Sequence, residues 1–229
     1  MHAWGMDLDL TTLSQGVRYK ILTALVVPRP IAWVTSVDAE GRVNAAPFSF
    51  FNVLGNKPPL VAFAPGDRPD GSPKDTARNV KLSGDFVVNL VDRECAEVMH
   101  ASAFDFPADV SEVEALGLET LPSTKVRAPR LAISKIHLEC RHWGTLEIGG
   151  NRVVLGIVEY MHVPDGLLDP ETFHVQPGGF EGVGRLQGPG WYCTSADRFN
   201  LGRYPSPEGP SPEGPSPEGP SPEGTPRKG

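Results

Sequence analysis

The chain has little cysteine, and what it has is poorly arranged for disulfides. Its 229 residues contain an odd number of widely spaced cysteines: Cys95, Cys140 and Cys193. Free thiols in a reducing, cytoplasmic compartment are therefore expected rather than a disulfide framework. No C-x-x-C or H-x-x-x-H pair occurs, and His137 and Glu139 would point away from Cys140 on a strand. The sequence therefore predicts no metal site.

Long apolar runs and an excess of positive charge are also missing. No apolar stretch approaches the roughly 20 residues of a membrane helix. The opening residues, MHAWGMDLDL, lack the basic and apolar regions of a signal peptide. The formal net charge is −7, and no stripe of lysine and arginine occurs. We therefore expect binding to neither nucleic acid nor membrane.

The usual fingerprints of nucleotide-binding folds and of nucleophilic enzymes are absent as well. The glycines at 182–188 have the wrong spacing for a dinucleotide fold, and neither a P-loop nor a G-x-S-x-G motif is found. No close pair of carboxylates suggests acid–base catalysis. No catalytic side chain can therefore be assigned, and a ligand that brings its own chemistry fits this composition best.

Proline and glycine are concentrated at the C-terminal end. Residues 205–229 read PSPEG four times and then TPRKG. This segment has nothing to bury, so it is predicted to be a disordered, solvated tail. Residues 1–204 are predicted to form one folded domain, which is a sufficient length for a single hydrophobic core.

The clearest pattern is a hairpin that leads into an aromatic segment. An apolar run at 31–37 meets turn residues at 38–41, where Gly41 can take positive φ, and a second strand returns at 43–46. Pro47 is expected to end or bulge that strand. The following residues, 47–52, place three phenylalanines among Ser49 and Asn52. They indicate either a plug at a barrel end or an apolar surface for a flat heteroaromatic ligand.

A helix start with anion-binding chemistry lies further along. Ser72, Pro73 and Asp75 have the spacing of a cap, a first-turn proline and a capping-box acid. A helix N-terminus carries unpaired N–H groups and partial positive charge, to which Lys74 and Thr76 could add donors. The alternative is an ordinary capped surface helix.

The remaining patterns favour an antiparallel barrel with a few short helices. A helix is predicted at 15–25, capped by Ser14, with Val17, Ile21, Leu22 and Leu25 packing on the sheet. The other predicted segments are strands at 60–64 and 85–91, a helix at 93–102, an irregular stretch at 103–130, a hairpin of 133–148 with 152–163, and glycine-rich coil from 173.

Several of these stretches resemble the flavin reductase-like family of FMN-binding split barrels. The likeness is carried by RPIAWVTSVDAEGRVNAAPFSFFN, RPDGSPKDTARN and DFVVNLV, and later by GRL and GWY, and it extends over about residues 7–204. It implies a mainly β fold, a six-stranded antiparallel Greek-key split barrel. It also implies a homodimer with FMN near the subunit interface.

The resemblance further implies a set of flavin-binding residues. Those expected to line the flavin from the first hairpin strand are Trp33, Thr35 and Ser36. Those expected at the isoalloxazine edge are Pro47, Phe48, Ser49, Phe50, Phe51 and Asn52. Lys74, Asp75 and Thr76 would hold the ribityl phosphate. Arg185, Tyr192 and the segment 103–130 would close over the cofactor.

The activity implied is hydride transfer from NADH or NADPH to FMN, with electrons passed on to an acceptor or a partner monooxygenase. An alternative is a flavoredoxin-like FMN electron carrier that a protein partner reduces. A third possibility is a binding module whose barrel takes no flavin.

Overall fold

The computed structural model describes residues 5–104, 106–107 and 110–201. The chain divides into two compact units, Met1–Asp197 and Arg198–Gly229. The helices and strands named below lie in the first unit, and residues 198–201 of the second adopt no regular secondary structure. The predicted tail at 205–229 lies outside the described residues.

Short helices and mostly antiparallel strands alternate along the first unit. The helices are α1 (Gln15–Leu25), α2 (Asp75–Ser83), α3 (Ala96–Ala101) and α4 (Glu112–Ala115), preceded by a 3₁₀ turn at Leu10–Thr12. The strands are β1 (Arg29–Pro30), β2 (Ala32–Val37), β3 (Val43–Phe48), β4 (Phe51–Asn56), β5 (Pro59–Phe63), β6 (Asp85–Leu90), β7 (Thr120–Leu121), β8 (Arg130–Leu131), β9 (His137–Ile148), β10 (Asn151–His162), β11 (Val183–Arg185) and β12 (Tyr192–Thr194).

The main sheet has seven strands in the order β3-β2-β6-β9-β10-β5-β4, and its neighbouring strands pair antiparallel. Its two edge strands, β3 and β4, are consecutive in the chain and are separated only by Ser49 and Phe50. Such a link spans about 10 Å, whereas seven flat strands would spread over about 29 Å. The sheet must therefore curl until its edges meet, which makes it a barrel.

This closure reconciles the observed strands with the expected six. Counted as one kinked strand, β3 and β4 reduce the seven strands to six. The aromatic rings agree with this closure, because the ring centroid of Phe48 in β3 lies 5.2 Å from that of Phe63 in β5, the strand next to the opposite edge. The predicted antiparallel architecture is confirmed.

Two apolar clusters lie on opposite sides of β2, as its alternating side chains require. Ala32 and Val34 face the barrel interior with Phe86, whose ring packs 5.3 Å from that of Phe63. Trp33 faces the other way, into a second cluster beneath α3 that includes Met99. Both sides of this strand are therefore buried.

The first hairpin and the long hairpin formed by β9 and β10 are confirmed. Gly41 takes φ 86° in the first turn, as predicted. The expectation that Pro47 would end or bulge the strand is wrong, because Pro47 pairs with Trp33 in unbroken register and β3 continues to Phe48. In the described part of the chain β3 has β2 as its only ladder neighbour, so an edge position accommodates the missing N–H.

Helix α1 has the predicted bounds but not the predicted packing. Among its residues only Thr23 is buried. Leu25 is 75% exposed, and Val17 and Leu22 are also exposed. The expectation that the apolar side chains of α1 pack on the sheet is therefore wrong for Val17, Leu22 and Leu25.

The predicted glycine-rich coil after residue 173 also contains structure that the sequence did not indicate. Strands β11 and β12 pair with each other, and β11 pairs with β1, in a small three-stranded sheet. Strands of two or three residues are too short to show a periodicity. Within 103–130, α4 and β7 likewise replace part of the expected irregular stretch.

Candidate flavin-binding site

A cavity of about 380 Å³ separates β3 from the N-terminus of α2. Four of the residues predicted for the flavin site line it together: Pro47, Lys74, Asp75 and Thr76. Phe104 and Phe106 add aromatic surface from the segment that follows α3. The volume lies within the range of ordinary small-molecule sites.

The N-terminus of α2 faces this cavity without a side-chain cap. Lys74 is the N-cap residue and makes no capping hydrogen bond. The predicted cap is therefore wrong: the Ser72 hydroxyl donates to the Asp70 carboxylate at 2.6 Å, and the helix begins at Asp75. The first N–H groups of an uncapped helix remain available to an anion.

Charge at this helix end is divided between paired and unpaired groups. The Asp75 carboxylate lies 2.5 Å from a guanidinium nitrogen of Arg68 and 2.5 Å from one of Arg78. Lys74 is exposed and has no carboxylate partner among the described residues. Lys74 is therefore the cation at this end whose charge is not already compensated by a neighbour.

The Thr76 hydroxyl is already engaged within the protein. It donates to the Asn44 side-chain carbonyl at 2.6 Å, and the Asn44 amide donates to the Glu112 carboxylate at 2.7 Å. Because Glu112 fixes which way the Asn44 amide points, the hydroxyl proton of Thr76 is already committed to the Asn44 oxygen. An anion here would meet the backbone N–H of Thr76 rather than its hydroxyl proton.

Glu112 is a site residue that the sequence did not reveal. Its carboxylate also accepts from the Ala45 N–H at 3.2 Å, and burial raises the pKa of Glu112 above its ordinary value. It lies 68 residues from Asn44, and no local motif links the two.

The side chains predicted on the first hairpin strand lie inside the protein. Trp33, Thr35 and Ser36 are fully buried. Thr35 donates to the Pro129 carbonyl at 2.5 Å, and the Ser36 hydroxyl lies 3.4 Å from the Asn44 carbonyl oxygen. They support the wall of the site from behind, and their contact with flavin stays a prediction.

The aromatic segment at 47–52 is split by the closure of the barrel. Phe48 packs in the barrel core, whereas Phe50 is 45% exposed and its ring lies 6.3 Å from that of Tyr19. Phe51 is partly buried and Asn52 is exposed. Each interpretation of this segment thus applies to a different residue: Phe48 plugs the barrel and Phe50 offers aromatic surface.

Arg185 and Tyr192 lie on the small sheet and do not line the cavity beside α2. The Arg185 guanidinium lies 4.8 Å from the Tyr192 ring and donates to the Trp191 carbonyl at 2.8 Å. The Tyr192 hydroxyl is hydrogen-bonded to the His100 ring at 2.9 Å. Within one chain, these two residues are therefore grouped with each other rather than with Lys74.

The second half of the predicted covering segment, 103–130, is anchored to the barrel. The Glu139 carboxylate, fully buried, accepts from the backbone N–H groups of Thr124 at 2.7 Å and Lys125 at 2.5 Å, and from the His162 ring at 2.6 Å. Burial acts to raise the pKa of Glu139, but these hydrogen bonds outweigh it and hold that pKa below its usual range. The part of the segment that lines the cavity is its first half, with Phe104, Phe106 and Glu112.

The described residues offer neither a metal site nor a membrane-spanning helix. Within these ranges, no group of three or more histidine, cysteine, aspartate or glutamate side chains is placed to hold a metal ion. None of the helices in the described part of the chain combines the length and apolarity needed to cross a membrane.

The chain is similar to proteins of known sequence and structure over most of its length. An uncharacterized protein of Deinococcus radiodurans is 48% identical over 200 residues, which cover 85% of this chain and 88% of the relative. Nitrilotriacetate monooxygenase component B from Bacillus cereus superposes with a TM-score of 0.81 at 29% identity, covering 86% of this chain and 98% of that one. The 2-nitrobenzoate 2-nitroreductase NbaA of Pseudomonas fluorescens superposes at 0.79 with 35% identity, covering 91% and 100%.

These similarities agree with the barrel geometry described above. The fold is the mainly β antiparallel split barrel that the sequence motifs implied. The model of the flavin reductase-like domain matches residues 24–184, which include β2 to β10, the cavity beside α2 and part of the small sheet. The chain therefore belongs to the flavin reductase-like domain family.

Proposed function

We propose that this protein binds FMN and transfers hydride from NADH or NADPH to it. The observation that carries the proposal is the cavity that joins Pro47 to the uncapped N-terminus of α2. The phosphate would lie at that helix end, held by Lys74 and the backbone N–H of Thr76. The ring would extend along the aromatic segment toward Ser49 and Phe50.

The residues of this cavity fit a flavin mononucleotide on chemical grounds. One end offers helix N–H groups and an unpaired ammonium, which suit a phosphate. The other end offers proline and phenylalanine surface, which suits a flat ring. When bound, FMN supplies the redox chemistry, so the side chains need only bind, orient and exclude water.

Ser49 has a defined role in this proposal. Its hydroxyl accepts a hydrogen bond from Nε of Arg29 at 3.4 Å, so its own proton is free to point elsewhere. A hydroxyl oriented in this way would donate to a polar atom at the edge of the ring. Arg29 would therefore act as a positioning residue for Ser49.

The next acceptor is proposed to be a small molecule or a partner monooxygenase. Two similar structures carry names that fit electron transfer of this kind: a monooxygenase component and a nitroreductase. The three free cysteines support a reducing, cytoplasmic site of action.

We also propose a homodimer, which the exposed apolar surface supports. Every residue of β4 after Phe51 is exposed, including Val53 at 61% and Leu54. Phe50, which directly precedes β4, and Leu25 of α1 are exposed apolar side chains as well. Patches of this kind on a folded protein usually mark an interface, and a second copy is the partner we assign. Sedimentation equilibrium tests this, because Val53→Asp should shift a dimer toward monomer.

The activity is tested with purified protein, loaded with FMN and mixed anaerobically with NADH or NADPH while the flavin absorbance band is followed. Bleaching by either nicotinamide supports the reductase. Bound FMN that is bleached only through a redox protein would instead show an electron carrier of the flavoredoxin type. Failure to take up FMN at all would refute both.

A further inference from the structure

A second cavity, of about 640 Å³, lies between α1 and the turn that joins β11 to β12. Its cationic residues are Lys20, Arg29 and Arg185, and no aspartate or glutamate lines it. This cavity shares no lining residue with the one beside α2. A ligand in one cavity would therefore contact a different set of side chains from a ligand in the other.

Arg29 forms the buried part of this cationic group. It is only 7% exposed. It donates to the carbonyls of Thr23 at 2.7 Å, Val26 at 2.9 Å and Leu186 at 3.2 Å, and to the Ser49 hydroxyl at 3.4 Å. All four acceptors are neutral. No carboxylate among the described residues lies within ion-pair distance of it.

A buried arginine of this kind is unusual because desolvated charges are normally paired. Burial is the main cause that lowers the pKa of Arg29; Tyr19 acts to raise that pKa, and the nearby Arg185 acts to lower it. The guanidinium has five N–H donors, and the four hydrogen bonds above use four of them. An anion in the cavity would supply the missing opposite charge.

The other two cations differ in how firmly they are held. The Arg185 guanidinium is fixed by the carbonyls of Trp191 and Gly188, and it stacks on the Tyr192 ring. Lys20 lies on the exposed face of α1, four residues from Gly16, which also lines the cavity. Three cations at one cavity call for more than a single negative charge.

The cavity also has an aromatic wall and a link to the aromatic segment. Tyr19 lines it and contacts Phe50 edge to face. The hydrogen bond from Arg29 to Ser49 joins it to the residues proposed to face the flavin ring. A ligand that combines anionic groups with a flat ring would use both features.

We propose that this cavity binds the diphosphate group of a nucleotide, and that the nucleotide is the NADH or NADPH donor. The choice of donor rests on the proposed function, whereas the binding of a diphosphate does not. Arg29 and Arg185 form the fixed part of the site, and Lys20 adds a third positive charge from α1. The site gives the nicotinamide nucleotide a place beside the flavin without a dinucleotide-binding fold.

The experiment compares Lys20→Glu with Lys81→Glu, which makes the same charge change on the exposed surface of α2. Binding of inorganic pyrophosphate, NADPH, NADH and FMN is measured by calorimetry at low and at physiological ionic strength. Lys20→Glu should weaken pyrophosphate and at least one nicotinamide nucleotide by roughly tenfold at low salt, and less at higher salt. FMN affinity should change less than about twofold. Lys81→Glu should leave all four affinities unchanged.

Unchanged binding of pyrophosphate and of both nicotinamide nucleotides in Lys20→Glu would overturn the proposal. So would a selective loss of FMN affinity, since the cavity would then hold the FMN phosphate. Loss of pyrophosphate binding alone would support the anion site and overturn its assignment to the donor.

Arg29 itself is tested with Arg29→Lys, which keeps the charge but loses the planar fork. It should weaken pyrophosphate binding while circular dichroism confirms the fold, and tight binding in a folded variant would contradict the assignment. The two proposals fail separately. Protein that binds pyrophosphate through Lys20 but shows no flavin bleaching would refute the reductase and leave the anion site standing.

Discussion

Reversal of one charge tests the proposed phosphate position beside α2. Lys74 is exposed, so its interaction with a phosphate passes largely through water. At about 5 Å in water, two unit charges interact with about 0.8 kcal/mol. Lys74→Glu changes the charge by two, and a phosphate carries nearly two negative charges, which gives about 3 kcal/mol before screening.

Salt at physiological ionic strength reduces this figure by about half over such a distance. The expected loss in FMN binding is therefore about 1.5 kcal/mol, or roughly 10- to 15-fold in Kd. A larger loss is not expected, because no buried charge is left without a partner.

The assay is titration of flavin-free protein with FMN, followed by quenching of flavin fluorescence. Lys81→Glu, on the same helix but at its opposite end, is the matched control and should bind FMN as the wild type does. The difference between the two variants should shrink as salt is raised. Equal FMN affinities for Lys74→Glu and Lys81→Glu at low salt would refute the proposed phosphate position.

Three further predictions concern the framework of the site, each measured by urea denaturation. Glu139→Gln should lower the free energy of unfolding by about 3 kcal/mol, since the side-chain NH₂ of glutamine would face a backbone N–H in a buried place. The control Glu159→Gln, in an exposed ion pair on the same hairpin, should lower it by less than about 1 kcal/mol, and similar losses for the two variants would contradict this prediction. Gly156→Ala should cost about 2–3 kcal/mol, because its Cβ would lie 2.3 Å from the Phe86 ring; a neutral result would show that the ring moves freely. Glu112 has a raised pKa in the folded protein, so the folded state binds more protons than the unfolded state just above pH 4.5, and stability from this group falls as pH rises through that window. The stability of Glu112→Gln relative to wild type should therefore improve from about pH 4 to pH 7, and a pH-independent difference would contradict this.

The fold was predictable where a local pattern dictates the backbone. The first hairpin follows from alternating apolar residues and from Gly41, and the long hairpin of β9 and β10 follows from the glycines at its turn. Closure of the barrel could not be predicted from any one stretch. It depends on strand pairing between β5 and β10, which are about 90 residues apart in the chain.

The site was predictable to a lesser degree. The spacing at Ser72 and Asp75 located the helix but misplaced its start, because Asp70 offers the Ser72 hydroxyl a nearer acceptor. The contact between Glu112 and Asn44 joins two distant segments and leaves no local signature. The role of Arg29 is equally invisible in sequence, since a basic residue beside proline gives no sign that it will be buried.

The short link at Ser49 and Phe50, where the chain passes from one edge of the sheet to the other, is held by a backbone hydrogen bond of 2.9 Å from the Ala64 N–H to the Phe50 carbonyl. This bond continues the pairing of β4 with β5 by one residue. Ser49 and Phe50 are also the residues proposed to meet the flavin ring. Binding of FMN and local opening of this link are therefore thermodynamically coupled, since a ligand that binds only the form with the link in place opposes its opening. Hydrogen exchange of the Ala64 amide should slow as FMN is added, which makes this single amide a reporter of both events.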